Sequence, residues 1–297
     1  MTVQSNRLAA IGLGLGLALL SVGSTAASGG SVPGREVYMP TRGMVEAAQH
    51  QNQGHKPGGS KNLTYHGGVG GIGVVTATAK VYLVLYGSQW SSDPSGERAL
   101  LESFFAKVGG TSWNNSVTQY CQGVATGTMT CGNNGTHAAS ATTFGGTLAD
   151  TGSAAPSRPT QSQLAAEAVK AAQYFGNTTA AANTHVQYVI ATSSGNSTSG
   201  FGTQFCAWHS STSSSYGNIA YTNLPYITDA GASCGANFNG LGAKAGITIV
   251  EGHEFAETQT DIFPNGGWLD SGGAENGDKC AWISSGQGAS AAVTMGG

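Results

Sequence analysis

Within the segment Glu251-Gly252-His253-Glu254-Phe255-Ala256-Glu257-Thr258-Gln259-Thr260-Asp261, one imidazole and four carboxylates follow one another at helical spacing. At 3.6 residues per turn, His253, Glu257 and Asp261 fall on successive turns of one helix face, and Glu254 sits on the adjoining edge. That pattern belongs to metal chemistry. A zincin-type helix reads His-Glu-x-x-His, in which two imidazoles bind zinc and the glutamate activates the bound water. Here Glu257 stands where the second histidine would be. A carboxylate binds zinc at about 2.0–2.2 Å, but its charge weakens the Lewis acidity that lowers the pKa of the water. The expected roles are His253 and Glu257 as metal ligands and Glu254 as general base.

Further donors are expected from two places. The Gly-rich stretch Asp270-Ser271-Gly272-Gly273-Ala274-Glu275-Asn276-Gly277-Asp278 offers Asp270, Glu275 or Asp278 to complete the shell, with Glu275 or Asp278 as the third ligand of a zinc site. Upstream, Phe205-Cys206-Ala207-Trp208-His209 offers His209 as a second imidazole. The same oxygens without imidazole would suit calcium, which takes six to eight oxygen ligands, and a cluster of Asx turns with no metal is the third alternative. Two other motifs carry less. Asp270-Ser271-Gly272-Gly273 echoes the nucleophile loop of chymotrypsin-like proteases, but no Ala-Ala-His-Cys segment lies upstream. His66-Gly67-Gly68 echoes an esterase oxyanion strip, yet no Gly-x-Ser-x-Gly elbow occurs.

The elements that must position these groups read as α/β. Lys80 to Tyr86 is a β-branched and aromatic run expected to be a buried central strand, and Val186 to Thr192 another. Helices are expected from Asp93-Pro94 to about Val108, from Gln161 to Phe175 behind a Thr160/Gln163 capping box, and from Ala243 to Thr260. The second presents Leu164, Ala168, Ala171 and Phe175 as its buried stripe. Residues 111–157 are rich in Gly, Thr and Ser and are expected to form loops or short strands. The result is a single three-layer-like domain: a mixed central sheet, flanking helices and long Gly/Ser/Thr-rich loops.

Only 9% of the 297 residues are charged and the net charge is -3, without a Lys/Arg cluster, which excludes a nucleic-acid partner. Arg7, the apolar run Leu8 to Val22 and the small residues Ser24 to Ala27 have the layout of a secretory signal peptide over residues 1–27. Residues 28–61, rich in Gly, Gln, His and Pro, are expected to be a flexible extension or propeptide before a domain spanning 62–297. No later segment is apolar over a bilayer's thickness. Outside the cell cysteines pair: Cys121 with Cys131 and Cys206 with Cys234 are the expected staples, and Cys280 is left over, to pair between chains, to stay free or to join a partner beyond Gly297.

Several segments together resemble the secreted EXORDIUM, or phosphate-induced protein 1, family of plants and its bacterial relatives. They are Leu63-Thr64-Tyr65-His66-Gly67-Gly68, Val81 to Gly87 followed by Trp90, Phe205-Cys206 with His209, Tyr221 with Leu224-Pro225-Tyr226, Cys234, His253-Glu254-Phe255-Ala256-Glu257 and Asp278-Lys279-Cys280. The resemblance covers about residues 62 to 285 and implies an extracellular or cell-wall protein. It implies no particular reaction. Members usually continue with a further strand and a final cysteine, so the domain is expected to be incomplete at its C-terminus, with the partner of Cys280 beyond Gly297. Two functions are consistent with these features. One is a zinc-dependent, peptidase-like hydrolase acting on extracellular peptide. The other is a non-catalytic module with a structural calcium ion that binds wall polysaccharide or a surface partner through Trp90, Trp208 and Trp268.

Overall fold

The structure, a computed structural model, describes residues 32–52, 61–286, 289 and 292–295. The signal-peptide stretch 1–27 lies outside the described residues. In chain order the elements are β1 (Val32–Pro33), β2 (Val37–Pro40), α1 (Arg42–Asn52), β3 (Thr64–Tyr65), β4 (Ala79–Tyr86), α2 (Glu97–Lys107), β5 (Cys121–Gln122) and β6 (Thr136–His137). They continue with β7 (Thr142–Asp150), α3 (Gln161–Tyr174), β8 (Val186–Thr192), β9 (Phe205–Ser214), β10 (Gly217–Leu224), α4 (Ala245–Thr260) and β11 (Trp268–Leu269).

Seven strands form the central sheet, in the order β1-β9-β10-β8-β4-β7 with β2 also paired to β9. Strands β10, β8, β4 and β7 run parallel, whereas β9 is antiparallel to β10, and β1 and β2 are antiparallel to β9. All seven residues of β8 are buried. Helices cover both of its faces, so apolar residues follow one another from Tyr188 to Ala191 rather than alternating with polar ones. On one side α3 sets Leu164, Ala165, Ala168 and Ala171 against Tyr188, Ile190 and Tyr221. On the other, α2 and α4 bring Leu101, Phe105, Ile247, Val250 and Phe255 onto Leu83, Val189 and Ala207. The mixed three-layer α/β architecture is as the sequence reading expected.

Three local expectations change. The sheet takes in residues assigned to the flexible extension, because β1 and β2 satisfy the outer edge of β9. Helix α2 starts at Glu97, not at Asp93-Pro94; Gly96 is left-handed (φ 67°), and the Asp93 carboxylate accepts from the amides of Glu97 (2.9 Å) and Arg98 (3.2 Å). The Gly/Thr/Ser-rich stretch contains β7, a nine-residue strand at the sheet edge. Its glycines hid it: a Cβ on Gly145 would lie 2.3 Å from the Tyr82 ring, so the strand packs under that ring only without a side chain.

The disulfides pair Cys121 with Cys131 and Cys206 with Cys234, and Cys280 is free and exposed. The Thr160/Gln163 capping box is present at the start of α3.

Away from the motif helix, Glu167 of α3 is buried beside Asp150, which pairs with Lys170. Burial, reinforced by the Asp150 carboxylate, pushes its pKa from 4.5 up to about 8. The folded chain therefore keeps a proton that the unfolded chain releases, and stability from this group falls as pH rises between those two values. Glu167→Gln should raise stability at pH 9 by roughly 1–2 kcal/mol after allowance for solvent screening, and should bring no gain at pH 4. Urea midpoints at the two pH values check this; equal shifts at both would mean that the carboxyl ionises freely.

Candidate metal centre

Helix α4 is seated by one close contact and, behind it, a disulfide. At its start, a Cβ on Gly246 would lie 1.9 Å from the Cys234 carbonyl oxygen, so only glycine lets the helix abut the 3-10 turn Ile227–Cys234. The Cys206–Cys234 bridge ties that turn to β9, three residues before His209. The helix is buried almost all round, with apolar residues toward the sheet and Glu251, His253, Glu254 and Glu257 enclosed as well. Polar groups inside a protein normally find hydrogen-bond partners, and several atoms of these groups have none.

Glu257 is the centre of the cluster. Its Oε1 lies 3.0 Å from His253 Nε2, and its Oε2 lies 3.5 Å from His209 Nε2. Asp278 Oδ1 approaches His253 Nε2 to 3.7 Å, and Glu275 Oε2 approaches His209 Nε2 to 3.5 Å. Ligands about 2.0–2.2 Å from a tetrahedral zinc lie roughly 3.3–3.6 Å from one another, so these separations match a shared cation. Two triads bring their ligand atoms within 4.8 Å of one another: His209, Glu254 and Glu257, and His253, Glu257 and Asp278. Among the described residues, both ring nitrogens of His209, both oxygens of Glu254, Nε2 of His253 and Oε2 of Glu257 and Glu275 have no hydrogen-bond partner.

The acidic loop is held in place by its own bonds. Asp270 accepts from the amides of Gly272 (2.7 Å) and Ala274 (3.1 Å) and pairs with Lys279. The Asn276 amide group donates to the Ala256 carbonyl of α4 at 3.3 Å, and the Asp278 amide donates to Glu257 Oε1 at 3.2 Å. A Cβ on Gly277 would fall 2.8 Å from His253 Nδ1 and 2.9 Å from Glu257 Oε1, so the loop closes over the imidazole only because this residue is glycine.

Burial opposes charge on both histidines, yet the carboxylates around them, Glu257 first, raise the pKa of His209 and of His253. Burial also opposes ionisation of Glu257, but the imidazoles on either side hold its pKa down to about 2. Glu254 and Glu275 are pushed well above the carboxylate range by burial and by neighbouring carboxylates, and Asp278 rises to about 6 for the same reasons. Without metal, Glu254 and Glu275 retain protons that a divalent cation would displace.

The expected ligand candidates His253, Glu257, Glu275, Asp278 and His209 come together with Glu254 in one cluster, whereas Asp270 is taken up by Lys279 and the Gly272 and Ala274 amides. Asp261 shares their helix face but is already satisfied, accepting from the amides of Asn265, Gly266 and Gly267 at 2.8, 3.0 and 2.6 Å. Sequence reasoning assigned no role to Glu251, which is fully buried with both oxygens unpartnered. Its spacing one turn before Glu254 was the available signal. Trp90, Trp208 and Trp268 are core residues, 8%, 1% and 2% exposed, and cannot stack on a sugar. A cleft of about 680 Å³ runs along the outer side of α4, with His253 and Gly277 in its wall and Phe104, Trp113 and Ile249 among its apolar lining.

Fold and cluster define an α/β protein with a histidine-carboxylate centre enclosed between a helix, a strand and an acidic loop. No protein-family model matches the chain, and no curated protein or solved structure matches it either. No helix among the described residues is long and apolar enough to cross a membrane, and the two disulfides are compatible with an extracellular location.

Proposed function

We propose that this chain is a secreted, EXORDIUM-like protein of the extracellular space or cell wall, and that it hydrolyses a peptide-type substrate at a zinc ion held by His253, Glu257 and Asp278. One observation carries the reading: buried imidazole and carboxylate groups, several of their atoms without a hydrogen-bond partner, lie 3.0–3.7 Å from one another beside an apolar cleft. Imidazole donors in both triads favour zinc over calcium, which takes oxygen ligands. Zinc at this position would supply a Lewis acid for activating water.

The chain's own groups divide the remaining work. Glu254 lies within ligand distance of Glu257 and His209, is shielded from solvent, and is the group that takes and returns the proton. The cleft beside His253 receives an apolar side chain of the substrate and limits water around the scissile bond. The Asp278 amide, donating to Glu257, keeps that carboxylate turned toward His253.

Protein purified without chelators should contain zinc, and Glu254→Gln should retain the ion held by His253 while lowering hydrolysis of a fluorogenic peptide library by about 10²–10⁴-fold. A protein without zinc, or a Glu254→Gln variant as active as the parent, would refute the reading.

A further inference from the structure

We propose that the cluster holds two divalent cations, bridged by the carboxylate of Glu257. The proposal rests on the metal reading above and extends it from one ion to two. An outer ion takes His253 Nε2, Glu257 Oε1 and Asp278 Oδ1, and an inner ion takes His209 Nε2, Glu257 Oε2 and Glu254.

Three observations converge on it. The two triads satisfy ligand spacing separately and have only Glu257 in common, which turns a different oxygen to each histidine. A carboxylate used in this way sets two ions about 3.5–4 Å apart, the separation of two-metal hydrolytic sites. His209 supplies the second observation. It is 1% exposed, no hydrogen-bond partner among the described residues meets either ring nitrogen, and its Nε2 faces Glu257 and Glu275 at 3.5 Å. An ion at His253 alone leaves that imidazole unsatisfied, and a second ion gives it a partner. The third is charge. Glu251, Glu254, Glu257, Asp261 and Glu275 are buried and Asp278 is partly buried; among the described residues the two imidazoles pair with Glu257, Glu275 and Asp278, and no ion pair reaches Glu251, Glu254 or Asp261. A second divalent charge offsets carboxylates that one ion leaves uncompensated.

The arrangement also gives Glu254 a place. Both its oxygens are unpartnered, so one serves the inner ion and the other keeps the proton-accepting role.

The test is zinc stoichiometry of the full chain after saturation with zinc and desalting, together with X-ray absorption at the zinc edge. The expected result is about two zinc ions per chain with metal–metal scattering at about 3.5–4 Å. His209→Ala and Asp278→Ala should each retain about one ion, with far-UV circular dichroism confirming the fold. One ion in the parent, retained unchanged by His209→Ala, overturns the bridge and leaves the single-zinc hydrolase standing. No zinc at all overturns both. Two ions in a parent that cleaves no peptide of the fluorogenic library uphold the bridge and overturn the hydrolase. Should the variants not fold, the scattering in the parent decides the matter, since absence of a metal–metal distance refutes the pair.

Discussion

Glu257→Gln should strip the protein of zinc and destabilise its metal-free form by about 3–5 kcal/mol, because this one carboxylate faces both imidazoles inside the fold. Glutamine keeps the shape but loses the charge, leaving two buried imidazoles against a neutral amide. The pH profile identifies the cause. In the metal-free parent the folded pKa of Glu257 lies near 2 against 4.5 unfolded, so its contribution is present above 4.5 and is lost as pH falls toward 2. The folded pKa values of His209 and His253 lie above 6.5, so their contribution is full below 6.5 and is lost as pH rises through the folded values. The parent without metal should therefore lose this stabilisation in both acid and base, and the variant should show a flatter profile. Urea midpoints at pH 3, 5.5 and 9, with elemental analysis of the zinc-loaded samples, measure both effects. A variant that retains the parent's zinc would remove Glu257 from the centre.

Opening the second disulfide should have the next largest effect. Cys206 and Cys234 are 28 residues apart, and closing a loop of that length removes denatured-state entropy worth about 3.6 kcal/mol. The Cys206→Ala/Cys234→Ala double variant should melt roughly 7–14 °C below the parent, on the scaling for domains of about this size. A purely local staple would do no more than that. This bridge joins β9, which carries His209, to the turn against which Gly246 of α4 is packed. The variant should therefore also release zinc faster to a chelator at temperatures where it remains folded. A lower melting temperature with unchanged zinc release would separate the bridge from the centre.

Most of the framework was legible because its signals are local. The run Lys80 to Tyr86 and the largely apolar Val186 to Thr192 announce strands covered on both faces, and both are central. The Thr160/Gln163 box marks the start of α3 to the residue. Strand β7 was not legible, because Gly145 is dictated by the Tyr82 ring and not by strand propensity. Strands β1 and β2 were missed for a related reason. Short edge strands are specified by the neighbour they cover, here β9, more than by their own composition.

The same division runs through the candidate site. Helical spacing placed His253, Glu254 and Glu257 together from the chain alone, since residues three and four apart meet on a helix wherever it is packed. Which face meets the core, and which distant side chains oppose it, depends on docking. The packing of α4 against β9 and the fold-back of the acidic loop over Gly277 bring His209, Glu275 and Asp278 to Glu257. That convergence joins residues 18 to 48 positions from Glu257, and it rests on contacts that carry no periodic signature. Burial also decided against Asp261 and the three tryptophans, because satisfied amide bonds and core packing, not residue type, determine whether a group is free to bind anything.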